Sequence, residues 1–171
     1  MQVEVSVQEC FSANQNEILV SAETWEIWFR LWLELLNPTD VEDGLPLHLQ
    51  EAYELSLRLT DDREIQTLNH QYRQKNQPTD VLAFAALEVE SPQPIDDLEA
   101  LYLGDIVISI DTAVRQAHQQ EHSLQTELAW LSAHGLLHLL GWDHPDDQSL
   151  TRMLNQQQVL LEAIGLTLPV D

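Results

Sequence analysis

The chain has 171 residues, a single cysteine, and a formal charge of −22 from 29 acidic against 7 basic side chains. That length suits one domain spanning residues 1–171, Cys10 alone rules out an intramolecular disulfide, and 44% apolar residues with five tryptophans can build a substantial core. The acidity speaks against indiscriminate binding to a polyanion or an anionic membrane, and no run of 18 apolar residues is present.

Met1 to Cys10 carries neither a basic start nor an apolar signal segment, which leads us to expect a cytoplasmic protein with no membrane partner. Within it Val3, Val5 and Val7 alternate with polar residues and predict a half-buried strand. Ser21 to Leu36 reads as a helix: Ser21 offers a cap, Glu23 sits in the first turn, and Trp25, Trp28, Trp32 and Leu35 recur at helical spacing as core residues. Residues 37–46, with two prolines, Gly44 and three acids, form a loop. Leu55, Leu57 and Leu59 predict a second strand, and Asp61 with Glu64 resembles a capping box at the start of a helix that ends near Arg73.

A polar segment then leads through Pro78 into the short apolar strand 81–85. Residues 87–102, with two prolines and five acids, predict an exposed excursion, and 103–110 a buried strand followed by a helix over 111–120. The helix from Ser123 is apolar on nearly every side, as a helix buried against a sheet should be. Asp146 or Asp147 caps a last helix that ends before Gly165. Strands and helices mix without a regular βαβ alternation, so the expectation is an α+β fold with one small mixed sheet and helices packed on it. Five glycines leave little material for a phosphate-binding loop, so no nucleotide cofactor is expected.

The chemistry concentrates in His134-Gly135-Leu136-Leu137-His138-Leu139-Leu140-Gly141-Trp142-Asp143-His144. On a helix His134 and His138 leave the same face one turn apart, and a left-handed stop at Gly141 can return His144 toward it. Three neutral imidazoles suit zinc or another borderline transition metal, and three protein ligands leave a fourth position open, as catalytic zinc sites do. Asp143 and the acids after it are candidate acceptors for the outer ring N–H groups. Metzincin proteases share this histidine spacing, but where they carry a general-base Glu this chain has Gly135, which weighs against peptide hydrolysis. Arg73 and Lys75 make the sole locally positive stretch. Arg73 either grips a phosphate with its planar fork or pairs with an acid such as Asp80 or Asp105. No general base is evident, and Asp105 is the one guess.

The histidine segment resembles the H-G-x-L-H-L-x-G-Y-D-H signature of the bacterial YbeY endoribonucleases. The resemblance extends, in the family's order, to Leu68 through Lys75, Pro78 through Phe84 and Gly104-Asp105-Ile106, covering about residues 60 to 165. Trp142 stands where Tyr is usual, Ala83 where Ser is usual and Ala85 where Pro is usual; none of these removes a ligand. The resemblance implies a zincin-like α+β fold and a zinc-dependent factor that cleaves single-stranded RNA. It implies action in maturation of small-subunit ribosomal RNA and in ribosome quality control, with the small ribosomal subunit or its proteins as partners. It makes His134, His138 and His144 the ligands of one Zn2+ per chain, Arg73 the catalytic arginine, and Arg73 with Lys75 the substrate contacts. A non-catalytic zinc-binding ribosome-assembly factor and a metalloprotease are the rival readings.

Overall fold

The computed structural model describes residues 2–10, 20–36, 52–86 and 100–168. The predicted loop over 37–46 and most of the acidic excursion, residues 87–99, lie outside the described residues. Strand β1 (Gln2–Glu9) buries Val3 and Val5 and exposes the residues between them, and β2 (Ala52–Thr60) buries Tyr53, Leu55, Leu57 and Leu59. The period of two found in the sequence is thus the inward-outward alternation of a sheet.

Between these strands runs α1 (Ala22–Leu36), which makes the parallel pairing of β1 with β2 possible by carrying the chain back across the sheet. Its Trp25, Trp28, Phe29, Trp32 and Leu33 are buried. Edge-on contacts at 5.1 Å for Trp25–Trp28 and 5.2 Å for Phe29–Trp32 give the rings their favoured geometry. Leu35 departs from the expected stripe: with Ile27 and Leu31, each four residues apart, it lies on the exposed side of the helix.

Helix α2 (Asp62–Arg73) starts where Asp61 accepts the Glu64 amide at 2.9 Å, and stops where Gln74 takes the left-handed conformation at φ 57°. The reciprocal half of the expected capping box is replaced by an ion pair, because the Glu64 carboxylate takes two N–H donors from Arg58 instead. Strand β3 (Val81–Ala85) lies antiparallel to β4 (Leu101–Ser109), which also pairs parallel with β2. Sheet order is β1-β2-β4-β3. The sheet is therefore mixed, as expected, with more crossover character than the irregular alternation suggested. Strand β4 begins at Leu101, two residues inside the predicted excursion, because Leu101 and Tyr102 find partners in Tyr53 and Glu54 ahead of an irregularity in the register.

The chain continues through α3 (Ile110–Gln120) and α4 (Leu124–Leu139) to α5 (Asp147–Ala163), each capped by an acceptor side chain: Ser109, Ser123 and Asp146. Asp146, rather than Asp147, is the cap of α5, in a reciprocal box with Ser149. Helix α4 packs on β3 and β4 and is flanked by α3 and α5. A Cβ built on Gly135 would come within 2.9 Å of Ile106 Cγ2, so the glycine is what lets α4 approach the sheet this closely. Helix α2 covers the opposite face through Ile65, which meets Leu82 and Val107. The described residues make an α+β fold in which the helix bearing the histidines is the central buried one.

Candidate metal centre and substrate cleft

Helix α4 holds His134 and His138 one turn apart near its C-terminal end, where both rings are half-buried. After Leu140 the chain turns at Gly141, whose φ of 95° disfavours any residue with a side chain, and the Trp142 amide bonds back to the Leu137 carbonyl at 2.9 Å. This closure brings His144 round to the other two. Ring centroids lie 4.5 Å apart for His134–His138, 5.4 Å for His138–His144 and 5.8 Å for His134–His144. One ligand nitrogen from each lies within 4.8 Å of the others, so the three could hold a metal ion.

Each ring's outer nitrogen decides which lone pair faces inward. The buried Gln157 of α5 fixes that choice for His134: its amide nitrogen donates to the Trp130 carbonyl at 3.0 Å, which leaves its oxygen 3.2 Å from His134 Nδ1 as an acceptor. His134 then keeps its proton on Nδ1 and turns a bare Nε2 toward His138 Nε2, 3.0 Å away. Asp143, expected in this role, is occupied elsewhere by the backbone amide of His144 at 2.8 Å. Burial lowers His138 to about 4, helped by the charges that His134 and His144 would carry, against a backbone bond at Trp142. Burial likewise holds His134 below its ordinary value, against the Gln157 bond. At neutral pH both are therefore uncharged and present lone pairs, which is the state a metal requires.

The histidines open into a cleft of about 790 Å³ whose opposite wall is the end of α2 and the length of β3. Arg73 stands on its rim, beside Tyr72. Among the described residues Arg73 makes no ion pair: Asp80 accepts from the Val81 amide and from Gln116, and Asp105 accepts from the Tyr102 hydroxyl at 2.6 Å. Among the described residues the bridge that the sequence left open, to Asp80 or Asp105, is thus not formed. Lys75 is exposed but lies outside the residues that line the cleft. Asp105 faces a different groove, with Arg58, Glu64 and Leu68, so it does not serve the histidine cleft as a base.

Sequence reasoning missed Gln157. A signal existed, since Gln157 interrupts the apolar face of α5 between Met153 and Leu160–Leu161, where a lone buried amide needs partners.

Comparison with known proteins gives the family. Residues 11–165 match the profile of the family described as Endoribonuclease YbeY. The chain is 58% identical to the Endoribonuclease YbeY of a Nostoc species, with 100% of this chain and 95% of that protein aligned. It is 57% identical to that of Trichormus variabilis over 100% and 99% of the two chains. The solution structure of TM1509 from Thermotoga maritima shares the fold, with a TM-score of 0.52 at 21% identity over 92% of this chain and 88% of that one. This chain, with its three convergent histidines, belongs to the endoribonuclease YbeY family.

Proposed function

We propose that the chain is a single-domain, zinc-dependent endoribonuclease that cuts single-stranded RNA. We further propose that it acts in the cytoplasm, in maturation of small-subunit ribosomal RNA and in ribosome quality control. One zinc per chain would be held by His134, His138 and His144. The observation that carries this reading is the meeting of three imidazoles in a cleft whose rim bears an arginine with no acid partner among the described residues.

The donor set suits the metal: three nitrogen ligands, two of them kept neutral by burial and one oriented by a buried amide. Zinc, when bound, supplies Lewis acidity toward a phosphoryl oxygen and acidifies water. The chain's own residues do the rest. Arg73 offers two parallel N–H donors to the phosphate and balances the charge that builds on it. The cleft walls of β3 keep the substrate between arginine and histidines, and Gln157 keeps the His134 ring from turning.

A peptidase reading loses support from the backbone. The position that carries the protease's glutamate is Gly135, and a side chain there would run into Ile106 of β4. A non-catalytic zinc-binding assembly factor draws on one observation, the charge of −22, which opposes free association with RNA. Delivery by a ribosomal partner reconciles that charge with turnover. The two are separated by measuring cleavage of a single-stranded RNA by zinc-loaded protein. Wild type should cleave, and Arg73→Ala should lose roughly 10²-fold in rate while zinc content and thermal midpoint stay near wild type. Zinc-loaded wild type that binds ribosomal particles but never cuts RNA would leave the assembly-factor reading standing. End-group analysis of the product assigns the nucleophile, since a 2′,3′-cyclic phosphate requires attack by the ribose hydroxyl.

A further inference from the structure

At the end of α2, next to Arg73, Tyr72 is 56% exposed, an unusual position for a large ring in a chain with room to bury it. It is held there. Phe84 of β3 meets it edge-on with ring centroids 5.1 Å apart, and Phe84 is itself packed against the small cluster formed by Ile65, Leu82 and Val107. Tyr72 and Phe84 line the histidine cleft, and both also line a second groove of about 600 Å³; no other described residue lines both. The aromatic pair is therefore the ridge between them.

The two sides of that ridge differ in chemistry. On the histidine side stands Arg73, able to take a phosphate. On the other side Arg58 is engaged by Glu64 through two hydrogen bonds, and Asp105 brings a negative charge, so a phosphate is disfavoured there. An uncharged flat group is not disfavoured, and the groove offers it Leu68 and the aromatic pair itself. A nucleotide carries both kinds of group, a phosphate and a base.

We propose that Tyr72, braced by Phe84, is a stacking platform for the RNA base next to the phosphate that Arg73 holds, and directs that base across the ridge into the second groove. This inference rests on the ribonuclease reading above. It also answers the question that the acidity raises. A chain with 29 acids against 7 basic residues has no broad footprint for phosphates beyond Arg73, whereas stacking on an aromatic ring is independent of charge and sequence and contributes roughly 5- to 150-fold per base. A base inside a duplex has no free face to offer, so the same ring selects for single strands.

The test is kinetic, on zinc-loaded protein. A single abasic nucleotide is stepped along a single-stranded RNA around the cut site, and kcat and KM are measured for wild type, Tyr72→Ala, Tyr72→Phe and Tyr72→Trp. Wild type should show one position at which the missing base raises KM about tenfold or more. Tyr72→Ala should raise KM on intact RNA by a similar factor and lose its sensitivity at that position alone. Tyr72→Phe and Tyr72→Trp should behave as wild type, which a role for the hydroxyl would not allow, and a role in local packing alone would not remove the sensitivity at one abasic position in Tyr72→Ala. If Tyr72→Ala keeps the wild-type abasic profile, the platform is refuted while the ribonuclease reading survives. If wild type cleaves no RNA at all, that reading fails and takes this inference with it.

Discussion

Two histidine sites lie toward opposite ends of α4, and they follow opposite rules. His122, just ahead of the helix, sits 2.5 Å from Glu127, with the two side chains only 7% and 4% exposed. Burial raises the Glu127 carboxyl, and the His122 bond works against that rise. This site supplies its own partner for His122 Nε2, and the other ring nitrogen, Nδ1, is buried without one among the described residues. The triad has a neutral amide instead, and none of its members forms an ion pair with a carboxylate among the described residues. Its imidazoles face one another across 3.0 Å and would repel if charged. A buried polar group that finds a partner within the chain belongs to the fold, and a set of lone pairs that converge without one calls for a cation from outside.

That comparison is sharpest under substitution. The largest effect should come from His138→Ala, which removes the middle ligand: zinc content by elemental analysis should fall from one per chain toward none, and RNA cleavage with it. Full zinc occupancy in that variant rules out the ligand set. Next, Glu127→Ala strands His122 in an apolar setting and should cost about 3 kcal/mol or more of stability, read from denaturant unfolding. Zinc stoichiometry of the folded fraction should not move. A loss of zinc there would mean that the two sites are one system.

Gln157→Met comes third, because it keeps the volume in the core while removing the acceptor for His134 Nδ1. Zinc affinity should weaken by roughly 10- to 100-fold in a competition titration with a chelator. The smallest effect is a slope with pH. His134 and His138 have folded values below the ordinary 6.5, so the unfolded chain binds protons more readily than the folded one. Metal-free protein should therefore lose stability as pH falls from about 6.5 toward about 4, with full stability above that window. His138→Ala should flatten this slope. A metal-free wild type whose unfolding midpoint is level across that window contradicts the desolvation of His134 and His138.

Much of this arrangement could be read from the sequence where it depends on neighbours along the chain. The alternation of β1 and β2, the caps at Ser21 and Asp61, the cap of the last helix at one of two adjacent aspartates, and the one-turn spacing of His134 and His138 are local features, and the structure realises each of them. Contacts across the fold were not legible. Asp143 lies next to His144 in the chain and looked like the acceptor, yet a carboxylate so close in sequence satisfies the backbone amide instead. The acceptor in the structure comes from Gln157, on a different helix. Asp105 sits in a motif shared with the family, but its strand turns it to the other groove, and the face it occupies depends on a sheet register that the sequence alone did not specify.

The central claim is that three histidines of one chain hold the metal that RNA cleavage requires. Its most direct test strips the protein with a chelator and titrates zinc back while following cleavage of a single-stranded RNA. Cleavage should be absent at the start, rise linearly and level off at one equivalent of zinc per chain. Stripped protein that cuts RNA at the wild-type rate, or activity that is indifferent to added zinc, would contradict it.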